Sequence, residues 1–210
     1  MPSDIEIERK FEIPDEETLI RIREEAQSGT IPGIRIETSS GPHCRFDIYH
    51  DTASRAFLAD RAPLRMSIGD RGIEPGGAEI TWKTPTDRAI ARRERAEQYS
   101  LETATLMLAG RAHGELIDAA RDAAGGDSLG PVLRVTKLYW VFTGRGWECA
   151  YGYVTLAGSR GVVEDLDLEV ELKRGGDEQR LLKVVRNLRE RYVLKERTIS
   201  KYEAGMREVG

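Results

Sequence analysis

Ile5, Ile7 and Phe11 alternate with Glu6, Glu8, Lys10 and Glu12 at the start of the chain. A period of two predicts a β-strand with one ionised face. A late segment repeats the pattern. Leu166, Leu168, Val170 and Leu172 occupy one parity and Asp167, Glu169, Glu171 and Lys173 the other. Between them, acids in the first turn and Gly29 at the end predict a helix over 15–29. Strand-like runs follow at 34–38, 44–50, 63–69, 78–84 and 90–101, with a hairpin loop at 69–77. A helical stretch over 102–126 is interrupted near Gly110 or Gly114, and further strands run over 131–143, 147–157 and 161–173. Leu181, Leu182, Val185, Leu188 and Tyr192 share one side of an amphipathic helix over 177–194.

About eight strands with two or three helices inserted among them predict an α+β fold. Strands and helices do not alternate regularly, so the sheet is expected to be mainly antiparallel and not doubly wound. The 210 residues fit a single domain spanning 1–210. Lys+Arg number 32 against 36 Asp+Glu, a net charge of −4, which argues against duplex DNA as a partner and confines any anion site to a local patch. The Arg88–Arg95 cluster reads as a solvated hairpin flank. No apolar run approaches the roughly 20 residues that cross a bilayer, and the charged N-terminus lacks a secretory pattern. A cytoplasmic protein without a membrane partner, monomer or homodimer, is the expectation. Two cysteines, Cys44 and Cys149, make no disulfide framework and read as small buried side chains. His43, His50 and His113 share no metal-ligand spacing. Trp82, Trp140 and Trp147 are expected to pack against helices.

Charge placed on strands raises a chemical question. Residues i and i+2 stand about 6.6 Å apart on a strand, so two acidic pairs on facing strands would surround a hard divalent cation with oxygens. Without cations such carboxylates repel one another. Lys10, Arg65, Lys83, Arg95, Lys137 and Lys201 lie in or beside strand-like segments. Acids and cations together suit a polyanion chelated to a metal. An ordinary solvated face gives the same spacing, and periodicity alone leaves both readings open.

The motifs go further. Glu6-Ile7-Glu8-Arg9-Lys10 resembles the E-x-E-x-K signature of the CYTH superfamily, the triphosphate tunnel metalloenzymes. Tyr49-His50-Asp51-Thr52 resembles its Y-x-D-T segment, Leu64-Arg65 its L-R-x-R strand, and Ile80-Thr81-Trp82-Lys83-Thr84-Pro85 its I-T-x-K-x-P strand. Glu169-Val170-Glu171 resembles the late E-x-E, and Ser200-Lys201-Tyr202 the terminal S-K-Y. The resemblance implies a closed eight-stranded antiparallel β-barrel, a charged tunnel, with flanking helices. It further implies Mg²⁺ or Mn²⁺ held by Glu6, Glu8, Glu169 and Glu171. Phosphates of a triphosphate-bearing small molecule would lie on Lys10, Arg65, Lys83, Arg95, Lys137 and Lys201, with Glu97 and Lys83 serving catalysis.

The implied activity is metal-dependent hydrolysis of inorganic tripolyphosphate or of an organic or nucleoside triphosphate. The alternatives are a class IV-type adenylyl cyclase making cyclic AMP from ATP, and a non-catalytic polyphosphate-binding module. Pro63 stands where thiamine triphosphatases carry an aromatic residue. Ser67, Tyr99 and Tyr139 stand where the family has charged residues, and Glu148 is the nearest candidate for a further acid.

Overall fold

The computed structural model describes residues 5–88 and 91–210. Among these residues, nine strands and six helices follow in the order β1 (Ile5–Glu12), α1 (Glu16–Ser28), β2 (Thr38–Asp51), α2 (Ala56–Ala59), β3 (Leu64–Ile68), β4 (Gly77–Pro85), β5 (Ala91–Ser100), α3 (Leu101–Leu108), α4 (Glu115–Ala123), β6 (Gly130–Gly144), β7 (Trp147–Gly158), β8 (Gly161–Leu172), α5 (Glu178–Tyr192), β9 (Lys195–Arg197) and α6 (Lys201–Glu208). The strands hydrogen-bond in the order β5-β4-β3-β2-β6-β7-β8-β1-β9, and β5 also pairs with β1. The sheet therefore closes on itself: an α+β fold built on an eight-stranded antiparallel β-barrel with flanking helices. The short β9 continues the ladder on the C-terminal part of β1.

Most predicted elements are present. The run at 34–38 is not a strand; the second strand begins at Thr38 and continues to Asp51. The helical stretch over 102–126 divides into α3 and α4, with Gly110 in the left-handed region between them (φ 76°). The predicted strand over 90–101 starts at Ile90, which lies outside the described residues, as does part of the Arg88–Arg95 cluster.

The chain divides into two compact units. The first comprises 1–43, 137–154 and 164–198. In it, α1 and α5 lay Leu19, Ile22, Leu181, Leu188 and Tyr192 against Phe11 of β1, Phe142 of β6, Cys149 and Tyr151 of β7, and Leu168 and Val170 of β8. Trp140 and Trp147 belong to this core, as expected of residues facing helices. Asp15 caps α1 by accepting from the Thr18 N–H, and Gly29 closes it in the left-handed conformation that favours glycine.

The second unit comprises 44–136, 155–163 and 199–210. Here Phe57 of α2, Met107 and Leu108 of α3, and Leu116 and Ile117 of α4 pack on Leu64, Met66 and Ile80 of β3 and β4, and Trp82 joins the edge of this core. In both units the helices cover the apolar parity of the strands. The ionised parity is left on the opposite face.

Candidate functional site

In the first unit, β1 and β8 pair with Glu8 opposite Glu171, Lys10 opposite Glu169 and Glu12 opposite Asp167. Phe11 and Leu168 of the same strands point into the helix-covered core, so strand alternation puts Glu6, Glu8 and Lys10 on the other face with Glu169 and Glu171. That face is sheltered. The side chains of Glu8, Lys10 and Glu169 are 12%, 20% and 21% exposed, and those of Lys137 and Glu148 are 12% and 17%. A merely solvated face would not be shielded in this way.

Like charges directly opposed across an antiparallel pair are destabilising, and lysines answer that cost. Lys10 Nζ lies 2.5 Å from Glu8 and 4.0 Å from Glu169. Lys137 Nζ lies 3.5 Å from Glu169. Lys173 Nζ lies 2.6 Å from Glu171 and 3.5 Å from Glu148. Burial pulls the Lys173 ammonium down, but Glu171 and Glu148 outweigh it and hold it above its ordinary value, so it stays charged. Arg197 of β9, directly opposite Lys10, extends the row and grips Asp165 with both terminal nitrogens. Neither Arg197 nor Asp165 was singled out from the sequence. β9 has only three residues and no apolar signal.

The second unit carries a cationic network on its own ionised face. Asp47 lies opposite Ser67, and Tyr49 opposite Arg65, across β2 and β3. Arg45 donates from Nε to Asp47 (2.6 Å), from Nη1 to Asp70 (2.6 Å) and from Nη2 to Ser67 Oγ (3.2 Å). Ser67 donates in turn to Asp47 at 2.7 Å, and Arg65 Nε stands 3.8 Å from the same oxygen. Burial and the neighbouring Arg65 oppose the Arg45 charge, while Asp47 and Asp70 outweigh them and hold its pKa above the ordinary value. Ser67, a position where the family pattern has arginine, thus has a guanidinium on it supplied by the adjacent strand.

Lys83 lies opposite Glu94 across β4 and β5 and pairs with it at 2.9 Å. The ladder from Gly77–Ser100 to Pro85–Arg92 is unbroken, so Arg92, Glu94 and Gln98 share the face of Lys83. Arg95 and Glu97 do not. Arg95 is opposite Trp82 and Glu97 opposite Ile80, the parity covered by helices. Arg95 contacts Glu115 of α4 at 3.4 Å, and Tyr99 donates to Glu97. Burial and Glu97 together push the Tyr99 phenol up to about 12. The sequence reading of Arg95 and Glu97 is one residue out of step, because β5 carries charges at both parities. On the triphosphate hydrolysis that the motifs imply, Glu97→Gln is expected to leave the rate within about twofold, and Glu94→Gln to lower it tenfold or more. Steady-state kinetics on the two variants separates the faces.

Lys201 opens α6 directly after its cap, Ser200, and is buried. Ser200 and Glu203 form a capping box, each bonding the other's backbone N–H. Next to Lys201, Tyr202 donates its hydroxyl to Asp51 and stacks on Tyr49 at 5.2 Å. The Y-x-D-T and S-K-Y motifs therefore meet, and together they set the start of α6.

The remaining candidates play lesser parts. Glu148, the nearest candidate for a further acid, has a side chain only 17% exposed and lies 3.5 Å from Lys173. Tyr139 meets His43 with the rings tilted and their centroids 5.4 Å apart. His50 is buried, and burial lowers its pKa to about 4, so it is neutral near pH 7. Cys149 is buried as expected, whereas Cys44 is exposed, and both are free thiols.

Among the described residues, no three Asp, Glu, His or Cys side chains gather closely enough to enclose a metal ion; lysine ammonium groups stand against the glutamates. The donor chemistry does fit a hard divalent cation. Glu8 and Glu171 are opposed in register, Glu8 sheltered and Glu171 one third exposed, and offer oxygen ligands only.

A closed antiparallel barrel whose strands turn acids and cations onto sheltered faces defines the class of protein. The family model for the CYTH domain matches residues 4–205, and the chain belongs to the CYTH family. Among solved structures, a Bacillus halodurans protein proposed to be an adenylate cyclase shares 18% identity over 95% of this chain and 96% of its own, with a TM-score of 0.67. The PH1819 protein of Pyrococcus horikoshii shares 18% identity over 97% of this chain and 99% of its own (TM-score 0.60). HpAC1 from Hippeastrum, described with a dominant triphosphatase activity, shares 12% over 98% and 97% (TM-score 0.60). At these identities the likeness concerns the fold. Comparison with curated proteins gives no match. Among the described residues no helix is long and apolar enough to cross a membrane.

Proposed function

We propose that this protein is a divalent-metal-dependent triphosphatase. The observation that carries the reading is that Glu8, Lys10 and Glu169 share a sheltered face, with Glu171 opposite Glu8 at its more open edge, an arrangement an ordinary solvated face has no reason to keep from water. Membership of the CYTH family and the triphosphatase activity described for HpAC1 support it.

In this reading Glu6, Glu8, Glu169 and Glu171 hold Mg²⁺ or Mn²⁺. When bound, the cation neutralises phosphate oxygens and lowers the pKa of water. Lys10, Arg65, Lys83, Lys137 and Lys201 bind and orient the polyphosphate, most of the work in phosphoryl transfer, which asks little covalent chemistry of the protein. Arg92, on the face of Lys83, takes the phosphate role that the sequence pattern assigned to Arg95. Glu94 holds the Lys83 ammonium in place and is the acid placed to accept a proton from attacking water.

The test is a substrate panel of tripolyphosphate, thiamine triphosphate, ATP and GTP, each with Mg²⁺ or Mn²⁺. Release of inorganic phosphate from at least one of them, dependent on the metal, is the expected result. Cyclic AMP from ATP would replace the reading with a cyclase. Calorimetric binding of tripolyphosphate with no turnover in either metal would replace it with a binding module.

A further inference from the structure

We propose that Lys173 is a built-in counter-cation of the acidic face, one that a divalent metal must displace in order to bind. The inference rests on the reading of Glu171 and its neighbours as metal ligands. Lys173 is two residues beyond Glu171 and keeps its parity. Its Nζ lies 2.6 Å from Glu171 and 3.5 Å from Glu148, so the ammonium engages carboxylate oxygen that Glu171 would have to offer to a hard cation. The backbone beneath it is pinned. The Lys173 N–H donates to Gly146 C=O at 2.9 Å, and Gly176 N–H donates to Lys173 C=O at 2.8 Å.

Only the far end of the side chain is free to leave. The Lys173 side chain is 42% exposed, against 20% for Lys10 and 12% for Lys137. Those two lysines are enclosed with the carboxylates they meet and suit a fixed role toward substrate. A long flexible stem on a fixed base, ending at the water boundary, suits exchange. Ammonium and metal compete for the same oxygens. Occupancy by one lowers the apparent affinity for the other, while the lysine keeps the metal-free face from repelling itself.

Calorimetric titration of Mn²⁺ into the full-length wild type and the Lys173→Met variant tests this, alongside thermal melts with and without Mn²⁺. Met keeps the length of the stem and removes the charge. The variant is expected to bind Mn²⁺ roughly tenfold more tightly, about 1.4 kcal/mol. It is also expected to melt below wild type without metal and to recover the difference in saturating Mn²⁺. Lys173→Gln gives the same measurement should the Met variant aggregate. Binding by the variant alone, with none by wild type, also supports the proposal. Equal or weaker binding in the variant overturns it while leaving the metal reading intact. Absence of Mn²⁺ binding in both proteins overturns the metal reading and this inference together.

Discussion

Glu8→Gln and Glu171→Gln are each expected to lower kcat/KM for the best triphosphate substrate about 100-fold or more, with the metal concentration needed for half-maximal rate rising in parallel. Glutamine keeps the shape of the side chain and removes its charge. In Glu8→Gln it also leaves Lys10, 2.5 Å away, without the carboxylate it now holds. A 100-fold loss corresponds to about 2.7 kcal/mol of transition-state stabilisation. Residues that only support a metal ligand typically cost 10–100-fold when removed, so true ligands are expected at or beyond that range. Both variants should fold, because neither side chain belongs to the apolar core of its unit. Metal-dependent kinetics with tripolyphosphate is the measurement, and melting curves confirm the fold. Retention of half the wild-type rate by either variant removes that residue from the ligand set.

Why these glutamates could be found without coordinates, and Glu94 could not, is a matter of periodicity. On β1 and β8, Arg9 and Glu164 apart, one parity is apolar and the other ionised, so alternation fixes which residues share a face. In the segment Ala91–Tyr99 charges fall at both parities, with Arg92 and Glu94 on one and Arg93, Arg95 and Glu97 on the other. Hydrophobic pattern then carries no register, and only the ladder to β4 decides. The start of β2 was hidden for a related reason. Thr38 to His43 is polar, contains glycine and proline, and is mostly exposed, so it has no apolar face to announce a strand. Arg45 escaped notice because its role depends on Asp70, 25 residues away, and on Ser67. Local motifs report local chemistry, and a network closed by tertiary contact leaves no spacing to read.

The same holds for the clamp that sets α6, which gives the largest expected effect on stability. Asp51 is 1% exposed and is the hub of the second unit's C-terminal packing. Its Oδ1 accepts from the backbone N–H groups of Thr52 (2.7 Å) and Phe57 (2.9 Å), and its Oδ2 from that of Leu58 (3.1 Å) and from the hydroxyl of Tyr202, 151 residues away. One carboxylate thus holds the entry to α2 and the first turn of α6. Asp51→Ala strands four donors at a site with little water. A buried donor left unsatisfied costs about 1–3 kcal/mol, and the four are not additive because the loop relaxes. The variant is expected to lose about 3–5 kcal/mol, a fall in Tm of about 6–20 °C at the usual 2–4 °C per kcal/mol for this size. Tyr202→Phe removes only the fourth donor and keeps the ring stacked on Tyr49, so about 1 kcal/mol is expected from it. Thermal and urea melts of both variants check the ranking. If Asp51→Ala melts within 2 °C of wild type, or no lower than Tyr202→Phe, Asp51 is not the hub that the hydrogen bonds make it.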